Sequence, residues 1–157
     1  KLYGAKDFVL PGKLLVSLGG TYRGYSGGPT SWLGSHAIYG SDQVYILPRG
    51  SGERLPWTHN LDAHLGVGLK LARESTVQIS MDLFNMFNFQ AETARDQRYT
   101  QDNVLPIGSG SSTSSDLGSL KNADGSPFDK SHINPNFGKP VAYQPPRSFR
   151  FGAKVTF

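Results

Sequence analysis

Histidine side chains are the first candidates for chemistry in this sequence, because imidazole is a common metal ligand. The chain has four of them. The closest pair, His59 and His64, is five positions apart, and residues an odd number apart in a strand face opposite sides. There is no cysteine, which excludes disulfides, thiolate catalysis and Cys-based metal sites. We therefore predict no metal site from His36, His59, His64 and His132.

Two short loop motifs could in principle bind calcium or phosphate. Residues 122–126 with Asp129 lack the alternating Asp/Asn pattern and the terminal Glu of a calcium loop, and an Asp-Gly turn explains them better. Residues 50–52 lack the Lys-Ser/Thr of a phosphate loop. No nucleophile-elbow motif surrounds any serine. The sequence thus predicts a protein that is not an enzyme and uses no cofactor.

Composition limits the classes of protein and of partner. The 157 residues include 19 glycines and 10 prolines, so turns and loops should be abundant. The net charge of +4 has no Lys/Arg run behind it, which argues against nucleic-acid binding. No apolar stretch is long enough for a transmembrane helix, which leaves membrane strands open. The chain starts at Lys1 without a signal peptide, so we expect it to be cut from a longer precursor.

Residues 57–71 carry the clearest structural pattern. Apolar and polar residues alternate with period two over roughly 12 positions, which predicts a strand and not a helix. The polar face carries Asp62, His64 and Lys70, so charge lies in the middle of the strand. The apolar face consists of Leu61, Ala63, Leu65, Val67, Leu69 and Leu71.

Other segments alternate in the same way and include Asp82 and Arg150 on their polar faces. The link 72–75 is long enough only for a tight turn, so the segments on either side of it should form a β-hairpin. The predicted strands are about 2–9, 13–25, 57–71, 76–89 and 147–157.

Alternation is also found in soluble β-sandwiches, but three features favour an outer-membrane barrel. Charges lie in mid-strand, and aromatic residues lie near strand ends. The links alternate between short ones at 10–13 and 72–75 and long ones at 26–56 and 90–146. Such barrels have short periplasmic turns, long outer loops and aromatic girdles at both interfaces. The predicted interfacial aromatics are Tyr22, Trp57, Phe84, Phe87 and Phe89.

Four stretches carry a resemblance to a known family. The alternation of Phe149-x-Phe151-x-Ala153-x-Val155-x-Phe157 resembles the assembly signal of bacterial outer-membrane barrels. Residues 81–88, MDLFNMFN, look like a strand end found late in TonB-dependent transporters. Residues 50–57 and 144–152 resemble the Oar-like branch of that family. The resemblance covers most of the chain and is weakest over 108–130.

The resemblance implies an all-β fold, an antiparallel transmembrane β-barrel. Residues 1–157 would supply its C-terminal four or five strands out of about 22, with no plug domain, and 26–56 and 90–146 would be extracellular loops. Phe149, Phe151, Val155 and Phe157 would form the assembly signal, which the barrel assembly machinery would recognise by strand addition. The residues expected to face the lumen are Asp62, His64, Lys70, Asp82 and Arg150.

The implied function is transport of a solute across the outer membrane of a Gram-negative bacterium, as an integral barrel protein. Energy would come through TonB, ExbB and ExbD, which would act on the N-terminal part that is absent here. The further partners would be the rest of the barrel, the plug and a surface lipoprotein or other surface component on the long loops. The alternatives are a structural or adhesive barrel without transport and, less favoured, a soluble β-sandwich binding module.

The sequence also predicts the local structure of two short segments. In the 84–88 stretch, the asparagine side chains should tie down backbone where the strand passes into the loop. The tract 108–115 is rich in Gly and Ser and should be a flexible loop tip.

Overall fold

A computed structural model describes residues 1–71, 75–108 and 110–157. The fold is all-β, as the sequence predicted, with mostly antiparallel strands and short 3-10 helices. Among these residues no helix is long and apolar enough to cross a membrane. In chain order the strands are β1 (Leu2–Leu10), β2 (Leu14–Tyr25), β3 (Leu33–His36), β4 (Gly40–Tyr45), β5 (Thr58–Lys70), β6 (Thr76–Phe84), β7 (Glu92–Arg95), β8 (Arg98–Asn103), β9 (Pro140–Tyr143) and β10 (Ser148–Thr156).

The chain forms two compact units. Unit 1 comprises Lys1–Tyr25, Trp57–Ala91 and Gln144–Phe157, and unit 2 comprises Ser26–Pro56 and Glu92–Tyr143. Unit 1 therefore contains the long alternating segments, and unit 2 contains the two long links between them.

Unit 1 is a single antiparallel sheet with strand order β1-β2-β5-β6-β10. Its register places apolar residues opposite apolar residues on neighbouring strands. Leu65 of β5 is opposite Leu18 of β2 and Met81 of β6, and Met81 is opposite Phe151 of β10. Because side chains alternate along each strand, this register puts the apolar residues of four neighbouring strands on one face of the sheet.

The strand ends differ from the sequence-based boundaries where the backbone enters the left-handed region. The segment predicted as a strand over 76–89 ends at Phe84, because Asn85 and Asn88 have φ of 48° and 54°. The segment predicted from residue 13 begins at Leu14, because Lys13 has φ of 67° in a 3-10 turn. These φ values are incompatible with extended backbone. The predicted turn 72–75 lies mostly outside the described residues, although the Leu71 amide donates to the Ser75 carbonyl at 2.7 Å.

Unit 2 shows that the segments expected to be loops have their own fold. β3 lies between β4 and β8, and β7 pairs with β9. The expected flexible tip at 108–115 runs into a 3-10 helix, Ser114–Ser119, which Thr113 and Asp116 cap reciprocally. These strands are short and pair distant parts of the chain, so the sequence contains no long alternating run from which they could be predicted. The buried core residues are Val44, Ile46, Leu47, Tyr99, Val104 and Leu120.

Candidate functional site

A ladder of ionisable side chains crosses one face of the unit 1 sheet. His64, Asp82 and Arg150 occupy directly opposite positions on β5, β6 and β10. His64 Nδ1 lies 2.6 Å from one oxygen of Asp82, and Arg150 donates to the other from Nε at 2.9 Å and from Nη2 at 2.8 Å. The carboxylate is thus held between two basic groups. The structure brings together three of the five residues that were predicted to share the lumen.

A second cluster surrounds Asp62 on the same face. Its carboxylate accepts from Arg23 at 2.6 Å, from the Asn60 amide at 3.0 Å and from the Asn85 backbone N–H at 3.0 Å. The sequence did not identify Arg23 and Asn60 as partners of Asp62. Alternation along each strand puts both residues on the same face as Asp62. It does not give the register between β2 and β5, which places Arg23 directly opposite Asn60. Lys70 shares this face and lies at the end of β5, six positions beyond His64.

A shallow cavity of about 350 Å³ lies along this charged face, lined in part by Gly19, His64, Asp82 and Phe84. The position of Phe84 corrects its assignment to the interfacial aromatic band. Phe84 is two residues from Asp82 and opposite Ser148, so it belongs to the charged face. Its ring centroid lies 5.3 Å from the Arg150 guanidinium, a cation–π distance.

The opposite face of the sheet is apolar and exposed. β5 and β6 are each paired on both sides, yet Val67 is 44% exposed and Ile79 is 65% exposed. On β10, Phe151 is 73% exposed. Single exposed apolar residues are normal on a protein surface, but a contiguous set across several strands marks a surface that contacts lipid or another protein.

Aromatic side chains gather at one end of that apolar face around a histidine. The Tyr22 hydroxyl lies 2.7 Å from His59 Nδ1, and the two rings are stacked. His59 also lies 6.2 Å from Trp57 and 6.0 Å from Phe89, whose ring contacts Phe87 at 5.7 Å. Four of the predicted interfacial aromatics therefore form one band. His59 joins them, a role that its residue type did not suggest.

Two asparagines connect the end of β6 to the start of β10, which confirms the local expectation for 84–88. Asn85 is 4% exposed, and its amide donates to the carbonyls of Phe89 at 2.8 Å and Pro145 at 2.9 Å. Its oxygen accepts from the Phe89 N–H at 2.9 Å, and Asn88 accepts from the Arg147 N–H at 2.9 Å. These bonds satisfy backbone groups where regular sheet pairing stops.

The residues predicted to form the assembly signal lie on β10 or directly after it. Phe149, Phe151 and Val155 share the apolar face, and Phe157 follows the strand. In the part of the chain that the structure describes, β10 pairs with β6 alone, so its other edge has no partner strand there. Their role in assembly stays a prediction.

Unit 2 carries an ion pair between β4 and β8. Arg98 donates to Asp42 from Nε at 2.7 Å and from Nη2 at 2.5 Å. These hydrogen bonds hold the pKa of Asp42 below its ordinary value and raise the pKa of Arg98. Among the described residues, no group of three or more His, Asp or Glu side chains is placed to bind a metal ion.

The amino-acid sequence of this chain is similar to that of a known protein. A protein of Myxococcus xanthus named TonB-dependent transporter Oar is 40% identical to this chain over 167 aligned residues. The match includes 100% of this chain but only 16% of that protein, so the chain spans a small part of its relative's length. No family model matches the chain, and no solved structure matches it.

Proposed function

This chain is related over its whole length to the Oar-like TonB-dependent transporters, and from that premise we propose that it forms part of a transporter barrel wall. The barrel would lie in the bacterial outer membrane and pass a solute through its lumen. The observation that carries the proposal is the two-faced sheet of unit 1, with an exposed apolar face and a charged face.

Lipid is the occupant that best fits the apolar face. In water, each exposed large apolar side chain forgoes roughly 25 cal/mol per Å² of stabilisation. Hydrocarbon removes that penalty without requiring a complementary protein surface. The band of Tyr22, Trp57, Phe87 and Phe89 would then lie at the level of the lipid headgroups, where aromatic rings are favoured.

The lumen is the place we assign to the charged face. A charge in hydrocarbon is costly, whereas in a polar lumen it meets water or plug. Asp62 and Asp82 each have a basic partner on a neighbouring strand, so both carboxylates are paired before any solute or plug arrives. We therefore propose these residues, with His64, Lys70 and Arg150, as lumen-facing wall and not as a catalytic site.

The remainder of the parent protein would supply the other barrel strands and the plug. The free edges of β1 and β10 would pair with further barrel strands, which would leave no unsatisfied backbone in the membrane. The barrel assembly machinery would use the β10 edge, with Phe149, Phe151, Val155 and Phe157 presenting the apolar side. A plug that engages TonB, energised by ExbB and ExbD, would open the path. Unit 2 would face the outside and meet the solute or a surface partner.

Adjacent residues on β6 provide a matched test. Residues 1–157 contain no cysteine. A single cysteine can therefore be introduced at Ile79 or at Ser80 in a version of the full-length parent protein from which any cysteine outside this segment has been removed, and labelled with a nitroxide. In lipid bilayers, the label of Ile79→Cys should be reached by oxygen and that of Ser80→Cys by a water-soluble nickel chelate. Equal access of the nickel chelate to both labels would reject the barrel wall and favour a soluble sheet.

Energy coupling needs a separate measurement. The full-length parent protein should bind the periplasmic domain of TonB in a pull-down, and solute added in excess should change that binding. A parent barrel that never binds TonB would instead be a structural or adhesive barrel, even if the nitroxide pattern is as expected.

A further inference from the structure

Unit 2 contains a cleft of about 360 Å³ that neither the charged face nor the membrane surface explains. Four segments far apart in the sequence converge on it, at 30–32, 52–53, 95–97 and 137–139. Its volume is within the range of sites that enclose a small molecule.

Backbone hydrogen bonds hold the walls of the cleft in place. Thr30 donates to the Glu53 carbonyl at 2.9 Å, and the Gly52 N–H donates back to the Thr30 carbonyl at 2.9 Å. On another wall, Asp96 donates to the Lys139 carbonyl at 2.9 Å and accepts from the Gly138 N–H at 2.8 Å. The cleft is therefore preformed, which lowers the entropic cost of binding a ligand.

Aromatic rings form an apolar wall. Trp32 and Phe137 both line the cleft, with ring centroids 4.5 Å apart and planes inclined at 33°. Tyr99, which is buried in the unit 2 core, contacts Trp32 edge-on at 5.4 Å and Phe137 edge-on at 5.3 Å. The core thus fixes the orientation of both rings.

The polar groups at the rim are nearly balanced in charge. Arg95 donates to Glu92 at 2.7 Å and to Glu53 at 2.9 Å, so its charge is neutralised within the protein. Gln97 accepts from the Ser31 N–H at 2.7 Å with its oxygen, which leaves its amide N–H₂ as a donor group. Lys139 and the 85% exposed Glu53 side chain add a cationic donor and an anionic acceptor.

We propose that this cleft binds a saccharide ring. A sugar ring has a flat C–H surface that can lie on Trp32, and hydroxyls that both donate and accept. The mixed rim of Glu53, Gln97 and Lys139 matches those hydroxyls. A strongly charged ligand would instead require an excess of one sign, which the Arg95–Glu53–Glu92 pairing removes. The use of this site for solute capture rests on the proposed function, whereas saccharide binding itself does not.

Saturation-transfer-difference NMR on the full-length parent protein tests the proposal. The protein is held in a detergent without a sugar headgroup, and the probes are methyl α-glucoside, N-acetylglucosamine and, as a contrast, triglycine. We expect saturation transfer to at least one saccharide and none to triglycine. Trp32→Ala should weaken saccharide binding about tenfold, since it removes the stacking surface.

Two exposed positions guard against effects of misfolding. Glu53→Gln keeps the side-chain shape and should also weaken binding, whereas Tyr39→Ala removes a 73% exposed ring outside the cleft and should leave binding unchanged. Binding of triglycine alone, no binding of either saccharide, or saccharide binding that survives both cleft substitutions would each overturn the proposal. None of these results would alter nitroxide accessibility or TonB binding, so failure of the site and failure of the barrel assignment remain distinguishable.

The source of the sugar is separable in the same experiment. A saccharide could arrive as a free solute or as part of an envelope polysaccharide. Displacement of the bound monosaccharide by lipopolysaccharide would assign a surface glycan, and failure to displace it would assign a free solute. Either result supports saccharide chemistry in the cleft.

Discussion

Replacement of Asn85 by alanine should open the junction between β6 and β10. The side chain makes three hydrogen bonds to backbone groups of Phe89 and Pro145, all within 2.9 Å, and is 4% exposed. At roughly 1 kcal/mol for each bond, their loss costs about 3 kcal/mol. The φ of 48° adds about 1 kcal/mol for alanine, which disfavours the left-handed region. The free energy of local opening should therefore fall by about 4 kcal/mol.

Hydrogen exchange at the Phe89 amide reports this change directly, because that N–H donates to the Asn85 side chain. A loss of about 4 kcal/mol corresponds to exchange faster by roughly three orders of magnitude, limited by the stability of the whole unit. Asn85→Gly is the matched control, since glycine adopts a positive φ freely and loses only the hydrogen bonds. Unchanged protection at Phe89 in both variants would refute the reasoning, and equal effects of the two would refute the backbone contribution.

Two further predictions concern unit 2. Asp42→Asn keeps a residue that tolerates φ of 62° but removes the charge that pairs with Arg98. Because both groups are partly exposed, the free energy of unfolding, measured with urea at neutral pH, should fall by about 1 kcal/mol. Because the Arg98 hydrogen bonds lower the folded pKa of Asp42, its contribution is present above the ordinary carboxyl value and is lost as the pH falls through the folded pKa; a variant with the wild-type acid dependence would contradict this. Gly27→Ala should destabilise unit 2 by about 1–3 kcal/mol, since a Cβ there would lie 2.0 Å from the Leu55 carbonyl oxygen, whereas Gly28→Ala, with nothing within 4 Å, should be neutral. Thermal unfolding of the two alanine variants side by side checks the pair, and equal melting temperatures would show that the backbone yields.

Local pattern was sufficient to predict the strands of unit 1 and the composition of their faces. Side chains alternate with period two whatever the partner strand is, so the charged parity of Asp62, His64 and Asp82 could be identified without knowing the register. The same rule gives the correct face for Phe84, the one misassigned aromatic. Phe84 is two positions from Asp82 on β6, so it lies on the same face as the charged residues. The alternating pattern also predicted a strand that continues past the end of β6, since alternation carries no information on the positive φ of Asn85.

Unit 2 could not be predicted in this way. Its strands have four to six residues, too few to display a period, and its sheet pairs β3 with β8 across more than sixty positions. The converging walls of the cleft depend on that long-range pairing. Gly- and Ser-rich composition indicated a loop at 108–115, whereas the capped helix beginning at Ser114 depends on the spacing of Thr113 and Asp116.

The sequence by itself determined that the chain is all-β, that unit 1 has one apolar and one charged face, and that it resembles a TonB-dependent transporter. Only the tertiary structure decided which charges meet, such as His64 and Arg150 on the two oxygens of Asp82, and that His59 joins the aromatic band. The physical reason is that the face of a residue depends on its own strand. The partner of a residue depends on the register between strands, which the whole sheet determines.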